Sequence, residues 1–267
     1  MKWNNTVTAA IFENNQACPI PEYSLLDLIV RSEKEHVDLA ALAQRLAAPH
    51  FQAAAPLIPL SPREVWACDR NDEGSSSIDG FRVSVDRIDR PEIFFKGTAR
   101  VCVGPGQNIG IRGDSQFTAP EPELALVLGS KGRVVGYTIG NDVSAWDIER
   151  DNPLYLAQSK TFTGCCALGP VMVTPDEIPD PYDLRVECRV ERAGQVIFSG
   201  DSTTARLQRR FDTLVEFLLR GNPVPAGSVL LTGTGIIVPR EAALVAGDVV
   251  TIRVPGIGVL TNTAAVV

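Results

Sequence analysis

The segment from Glu121 to Asp142 constrains the fold of this chain more than any other. Two runs, Leu124–Leu128 and Val134–Ile139, flank Gly129-Ser130-Lys131-Gly132 and read as an antiparallel hairpin with a four-residue loop. If Leu128 stands opposite Arg133, Glu121 lies opposite Gly140 and Asp142 continues beyond it. Side chains alternate across a strand, so Leu124, Leu126, Leu128, Val135, Tyr137 and Ile139 form a core face. The other face collects Glu121, Glu123, Ala125, Gly136, Thr138, Gly140 and Asp142. Three carboxylates therefore meet at the open end of the hairpin, beside small residues expected to leave room for a ligand. Like charges packed so closely repel unless something positive sits among them, and a hard divalent cation with oxygen ligands meets that need. The plainer reading is that Glu121 and Glu123 form the solvated face of an edge strand.

Composition narrows the chemistry. Of 267 residues, 45% are hydrophobic, which excludes intrinsic disorder, and the formal net charge is −7. No clustered Lys/Arg block appears, so nucleic acid is not an expected partner. The two histidines, His36 and His50, exclude a multi-histidine zinc site. No run reaches the roughly 18 apolar residues of a membrane helix, and Met1–Asn5 opens no apolar signal region, so no membrane association is expected. The six cysteines include no C-x-x-C pair; free thiols and a cytoplasmic location are expected.

Residues 1–60 read as a small N-terminal helical cap with one leading strand over Thr6–Phe12. Apolar residues from Leu25 to Leu46 recur at helical spacing, and Ser24 with Asp27 forms a weakened capping box. Glu33-Lys34-Glu35-His36 reads as a solvated helix face. Residues 61–267 form a second, β-rich unit: short apolar runs cut by Gly, Pro and Asp, with one helix, Phe211–Leu219, stopped by Gly221. The polar stretch Asp69–Asp86 predicts a mobile loop. Gly104-Pro105-Gly106 lacks the context of a phosphate loop, and Arg206-Leu207-Gln208-Arg209-Arg210 is too short to imply nucleic acid. Cys165-Cys166 reads as a buried small-residue pair rather than a reactive thiol.

Five blocks in series carry a family resemblance. Phe94-Phe95-Lys96, Glu121-Pro122-Glu123 with its apolar run, Gly136 to Ser144, Lys160 to Pro170, and Leu231-Thr232-Gly233-Thr234-Gly235 together resemble the fumarylacetoacetate hydrolase superfamily over residues 61–267. Trp66-Ala67, Arg90 to Lys96, Asn152-Pro153-Leu154-Tyr155-Leu156 and Thr232 to Ile236 look most like its 2-keto-3-deoxy-pentonate dehydratase branch. The resemblance implies an α+β, mainly β fold, a mixed β-sandwich roll that commonly forms homodimers or higher homo-oligomers. It implies Glu121, Glu123 and Asp142 as ligands of Mg2+, with Mn2+ or Ca2+ also compatible with oxygen donors.

It further implies Lys160 as a catalytic lysine, acting as an ammonium or, if burial lowers its pKa, as a base. Thr234 in its Gly233-flanked loop, together with Lys96 and Trp146, is implied to contact substrate. Glu149 and Gln158 lie between Asp142 and Lys160, and Glu149 is the stronger candidate for a second catalytic group. Two departures stand out. Trp146 occupies a position where the family usually has arginine, and Trp66-Ala67 runs into Cys68-Asp69-Arg70-Asn71 rather than a Gly-Val-Thr-Tyr stretch. The histidine of the family's water-activating dyad has no counterpart at the expected place. These features predict a metal-dependent lyase that dehydrates a 2-keto-3-deoxy sugar acid, a small 2-oxo acid. The rivals are a C–C hydrolase or decarboxylase of an acylpyruvate-like substrate, in specialised biosynthesis for example, and an inert scaffold.

Overall fold

The Glu121–Asp142 hairpin lies in the middle of a larger sheet. The computed structural model describes residues 1–69 and 90–267; beyond Asp69 the expected 69–86 loop, with Arg70 and Asn71, lies outside the described residues. Among the described residues, seven strands run in the order Glu92–Gly97, Val65–Asp69, Ser228–Leu231, Pro122–Leu128, Val134–Asp142, Cys166–Val173 and Cys102–Val103. A five-stranded sheet runs Gln195–Thr203, Arg185–Arg192, Val249–Val254, Gly258–Val266 and Asn108–Ile111. Most pairs are antiparallel, with parallel pairs at Ser228–Leu231/Val65–Asp69, Cys166–Val173/Cys102–Val103 and Gly258–Val266/Asn108–Ile111. The fold is mainly strands, as expected.

The hairpin register differs from the sequence expectation. Glu123, not Glu121, pairs with Gly140, and Pro122 pairs with Asn141; the ladder then shifts between Val127 and Leu128, which faces Val134. A two-residue offset preserves the face of each side chain, because the strand repeat is two. Leu124, Leu126, Leu128, Tyr137 and Ile139 accordingly share one core cluster. Val135 is the exception. It sits within the irregularity and packs in the other cluster, with Ala125 and Val127. The turn itself is left-handed at Lys131 and Gly132, with φ of 55° and 72°.

Both faces of the central sheet are buried. One packs on the five-stranded sheet and on the Phe211–Leu219 helix, with Leu214, Val250, Ile252 and Leu260 in the cluster. The other packs on the N-terminal helices Leu25–Glu35 and Leu39–Leu46 through Leu28, Ile29, Leu39 and Leu42. Truncating a leucine such as Leu28, 1% exposed, to alanine would cost about 2–5 kcal/mol. Strand residues on both faces are therefore apolar, and the edge-strand alternative for Glu121 and Glu123 does not hold.

The N-terminal segment holds more strand than the single one expected. Lys2–Trp3 pairs with Thr6–Val7, and Ala9–Glu13 pairs with Gln16–Ile20, which also pairs with Gln52–Ala53. Two Asn-Asn pairs close these hairpins: Asn4, Asn5, Asn14 and Asn15 all have positive φ, between 45° and 64°. Asparagine tolerates that conformation, and a two-residue loop with both φ positive matches strand twist. Ser24 and Asp27 complete a reciprocal capping box. The solvated helix face expected at Glu33 is instead a docking point, since Glu33 accepts hydrogen bonds from Ser130 N (2.7 Å) and Ser130 Oγ (2.5 Å) at the hairpin turn. His36 is the exposed left-handed residue that ends this helix.

Candidate metal centre

Where Pro122–Leu128 and Val134–Asp142 open, Glu121, Glu123 and Asp142 each offer a carboxylate oxygen, all within 4.8 Å of one another. The ladder continues up to them: Asp142 N donates to Glu121 O at 2.9 Å, and Glu121 N donates to Asn141 Oδ1 at 3.1 Å. The three acids are 6%, 2% and 1% exposed, so they are held almost dry. Ordinarily such a cluster repels itself; two fully buried lysines offset part of it.

Lys160 ends the short helix Leu156–Lys160 and reaches Glu121 Oε1 at 2.9 Å and Oε2 at 3.0 Å. Its Nζ is also 3.6 Å from Asp142 Oδ2, 3.7 Å from Glu149 Oε2 and 5.4 Å from the centre of the Phe94 ring. Lys96 ion-pairs with Asp142 Oδ1 and donates to Val143 O at 2.9 Å. None of its surface reaches solvent.

Trp146 follows directly in the helix Trp146–Asp151, and its Nε1 donates to Glu121 Oε1 at 2.5 Å. The ring is fixed edge-on to Phe117, centroids 5.3 Å apart, while Asp147 anchors the same turn by accepting from Ser115 Oγ and Gln116 N, each at 2.6 Å. Trp146 thus supplies Glu121 with a neutral donor.

Glu123 is held from the other side by the backbone N–H of Gly233, whose φ of 95° turns the chain toward the acid. Thr234 Oγ1 accepts from Ile236 N at 3.1 Å, at the half-buried surface of that loop. Glu149 is more open, 25% exposed at its side chain, and accepts from Ser159 Oγ at 3.2 Å. Gln158 lends only its carbonyl, to Arg112 Nη1, and its side chain is not part of this network. Alternation alone does not reveal Asn141, Ser159 or the Val143 carbonyl as supports, because each acts across strands or through the backbone.

Electrostatics follow from this packing. Burial pushes the Glu121 carboxyl up to about 7, with Asp142 and Glu149 adding to the rise and Lys160 opposing it. Glu123 is pushed up by burial, then by Asp142 and Glu121, against the Gly233 N–H. For Lys160, burial disfavours the charge, but Asp142, Glu121 and Glu149 outweigh it and hold the ammonium well above its ordinary range. Asp69 adds to the negative field at Glu121 and Lys160.

One expectation is corrected. Gly140 does not leave room for a ligand: a Cβ there would lie 2.4 Å from Leu231 Cδ2, so the Leu231 side chain already fills the space. Gly136 is likewise closed by Met172, whose Sδ would lie 2.6 Å from a Cβ at that position.

The donor set suits a hard divalent cation. It offers three carboxylate oxygens and no soft ligand, and buried Asp142 Oδ1 makes no hydrogen bond beyond its ion pair. A fumarylacetoacetate hydrolase C-terminal family model matches residues 65–265. The chain belongs to the fumarylacetoacetate hydrolase family. Among family relatives, the 2-dehydro-3-deoxy-D-arabinonate dehydratase of Saccharolobus solfataricus is 39% identical over 274 residues, covering 95% of this chain and 91% of the relative. The "probable 2-keto-3-deoxyxylonate dehydratase" of Haloferax volcanii is 42% identical over 217 residues, 79% of this chain and 75% of its own. A solved 2-keto-3-deoxy-D-arabinonate dehydratase, complexed with magnesium and 2,5-dioxopentanoate, superposes with a TM-score of 0.83 at 35% identity, covering 99% of this chain and 96% of its own. No described helix is long and apolar enough to cross a membrane.

Proposed function

We propose that this family member is a magnesium-dependent lyase that removes water from a 2-keto-3-deoxy pentonate, giving 2,5-dioxopentanoate. The observation that carries the proposal is the dry triad of Glu121, Glu123 and Asp142 with Lys160 seated on it. Two buried ammoniums offset two of the three carboxylates. A divalent cation would hold the acids ionised and bring positive charge to the triad, which favours an anionic substrate such as a monocarboxylate. The names of the two relatives and the solved homologue support the same substrate class.

Glu121, Glu123 and Asp142 would hold the ion, and Mn2+ or Ca2+ are the alternatives to Mg2+. When bound, the ion supplies Lewis acidity that stabilises negative charge on the keto oxygen. Lys160, held as an ammonium by Asp142, Glu121 and Glu149, adds positive charge beside the developing oxyanion. Glu149, the partly exposed acid beside it, takes the proton from C3 and returns a proton to the departing C4 hydroxyl. Loss of that hydroxyl leaves a C3=C4 unsaturated 2-keto acid with the C5 alcohol intact. Transfer of a proton from C5 to C3 converts it to the C4=C5 enol, and protonation at C4 then yields the C5 aldehyde. Thr234 and the Gly233 loop contact the substrate carboxylate. Lys96 acts through Asp142, and Trp146 through Glu121. Residues 1–60 serve as a cap domain to the catalytic unit 61–267, and the working form is a cytoplasmic homodimer that binds neither nucleic acid nor membrane.

The test is mass spectrometry of 2-keto-3-deoxy-D-arabinonate and its xylonate isomer after incubation with the protein and Mg2+. Loss of one water, abolished by a chelator and restored by the metal, is expected. Loss of CO2, chain cleavage or no change with metal present overturns the reading.

A further inference from the structure

Beside the metal centre lies a pair of cysteines that the chemistry above does not use. Cys102 and Cys166 are register partners on parallel neighbouring strands, so their side chains leave the same face of the sheet at the same height. Neighbouring strands lie about 4.7–4.9 Å apart, inside the roughly 4.4–6.8 Å that separates the Cα atoms of bridged cysteines. The neighbouring Cys102 side chain and then burial push the Cys166 thiol up, while Cys102 Sγ itself donates to Thr98 O at 3.5 Å. Cys166 is fully buried, whereas Cys102, on the two-residue edge strand, is half-buried. Cys166 is also the partner of Asp142 across the next ladder.

We propose that Cys102–Cys166 is an oxidisable pair, closing to a disulfide when the protein meets hydrogen peroxide. The Cys102 thiolate attacks one peroxide oxygen, breaking the O–O bond; the second oxygen takes a proton and leaves as water. Cys166 sulfur then displaces the hydroxyl of the Cys102 sulfenic acid, and the Cys166 proton leaves with that hydroxyl as a second water. Two thiols lose two electrons and one peroxide gains them. A dithiol reductant reverses the bond. The bridge joins the strand that supports Asp142 to the segment that follows Lys96, tying the two supports of one metal ligand together. Cys165 next door points into the opposite cluster, with Val143 and Ala145, and is not a partner.

The full-length protein is treated with a modest excess of hydrogen peroxide, then alkylated, digested without reduction and mapped by tandem mass spectrometry. A crosslink between the Cys102 peptide and Cys166 is expected, with two hydrogens lost and reversal by dithiothreitol. It should survive in Cys165→Ser and vanish in Cys102→Ser and Cys166→Ser. Fragmentation between Cys165 and Cys166 in the wild-type peptide assigns the bond even if a variant fails to fold. Cys102 recovered as free thiol or as sulfinic acid without a crosslink, or a bond to Cys165, overturns the proposal.

Discussion

The indole N–H of Trp146 donates to Glu121 Oε1 while Lys160 grips both oxygens of the same carboxylate. Glu121 is therefore oriented by one neutral and one charged donor before any ion arrives. Such preorganisation lowers the cost of placing a ligand atom at a metal. Where the family resemblance implies an arginine, this chain keeps a donor and lacks the charge.

Trp146→Phe keeps the ring on Phe117 and removes the N–H. A hydrogen bond to a charged group contributes about 1.5–3 kcal/mol, so Mg2+ affinity should fall about tenfold or more by calorimetry. Unchanged affinity would mean that Lys160 alone orients Glu121.

Glu123→Gln keeps the acceptor for Gly233 N but removes a negative ligand. Mg2+ binding should be lost from the calorimetric titration, with near-native circular dichroism. Retained binding would remove Glu123 from the ligand set.

Lys160→Met should cut turnover by roughly 10²–10³-fold, the scale of losing one oxyanion-stabilising group. It also strands buried Glu121, so the metal-free variant should unfold at lower urea and recover stability when Mg2+ is added. Normal turnover in a folded variant would exclude Lys160 from the chemistry.

Gly140→Ala forces a methyl against Leu231 between two ligand-bearing positions. The single change should destabilise by about 1–3 kcal/mol in urea. Leu231→Ala should cost about 2–5 kcal/mol, and the pair together less than the sum, because the new methyl occupies the vacated space. Strict additivity would rule out the contact.

Asp147 titrates below the ordinary carboxylate range: burial opposes this, but the hydrogen bonds from Ser115 and Gln116 outweigh it. A depressed folded pKa contributes stability that is present above the unfolded value near 4 and lost as pH falls through the folded one. Asp147→Asn should therefore be less stable than the parent at pH 7, by about 1 kcal/mol after screening at this partly exposed site. The gap should narrow as pH falls below the unfolded value and through the lower folded one; a gap in urea unfolding that stays constant from pH 7 into that acid range would contradict the assignment.

Much of this was legible in the chain. Alternation placed Glu121, Glu123 and Asp142 on one face, and because the strand period is two, even the offset register left them there. The helix Phe211–Leu219 and its Gly221 stop, with φ of 69°, followed from spacing alone. The Asn-Asn hairpins, absent from the sequence reading, are nonetheless a local signal: paired residues tolerant of positive φ. The vacancy inferred at Gly140 was not real, since what fills a glycine is set by Leu231, distant in sequence and adjacent in the sheet.

By itself, then, the sequence determined which side chains share a strand face, where the turns fall and that acids rather than histidines would hold a metal. These are short-range properties of backbone geometry and residue type. Tertiary structure alone decided that both faces of the hairpin are buried, that Glu33 locks its turn and that Lys160, Lys96 and Trp146 converge on the acids. Charge and hydrogen-bond energies depend on separations of a few ångströms between residues far apart in the chain, and only packing sets those separations.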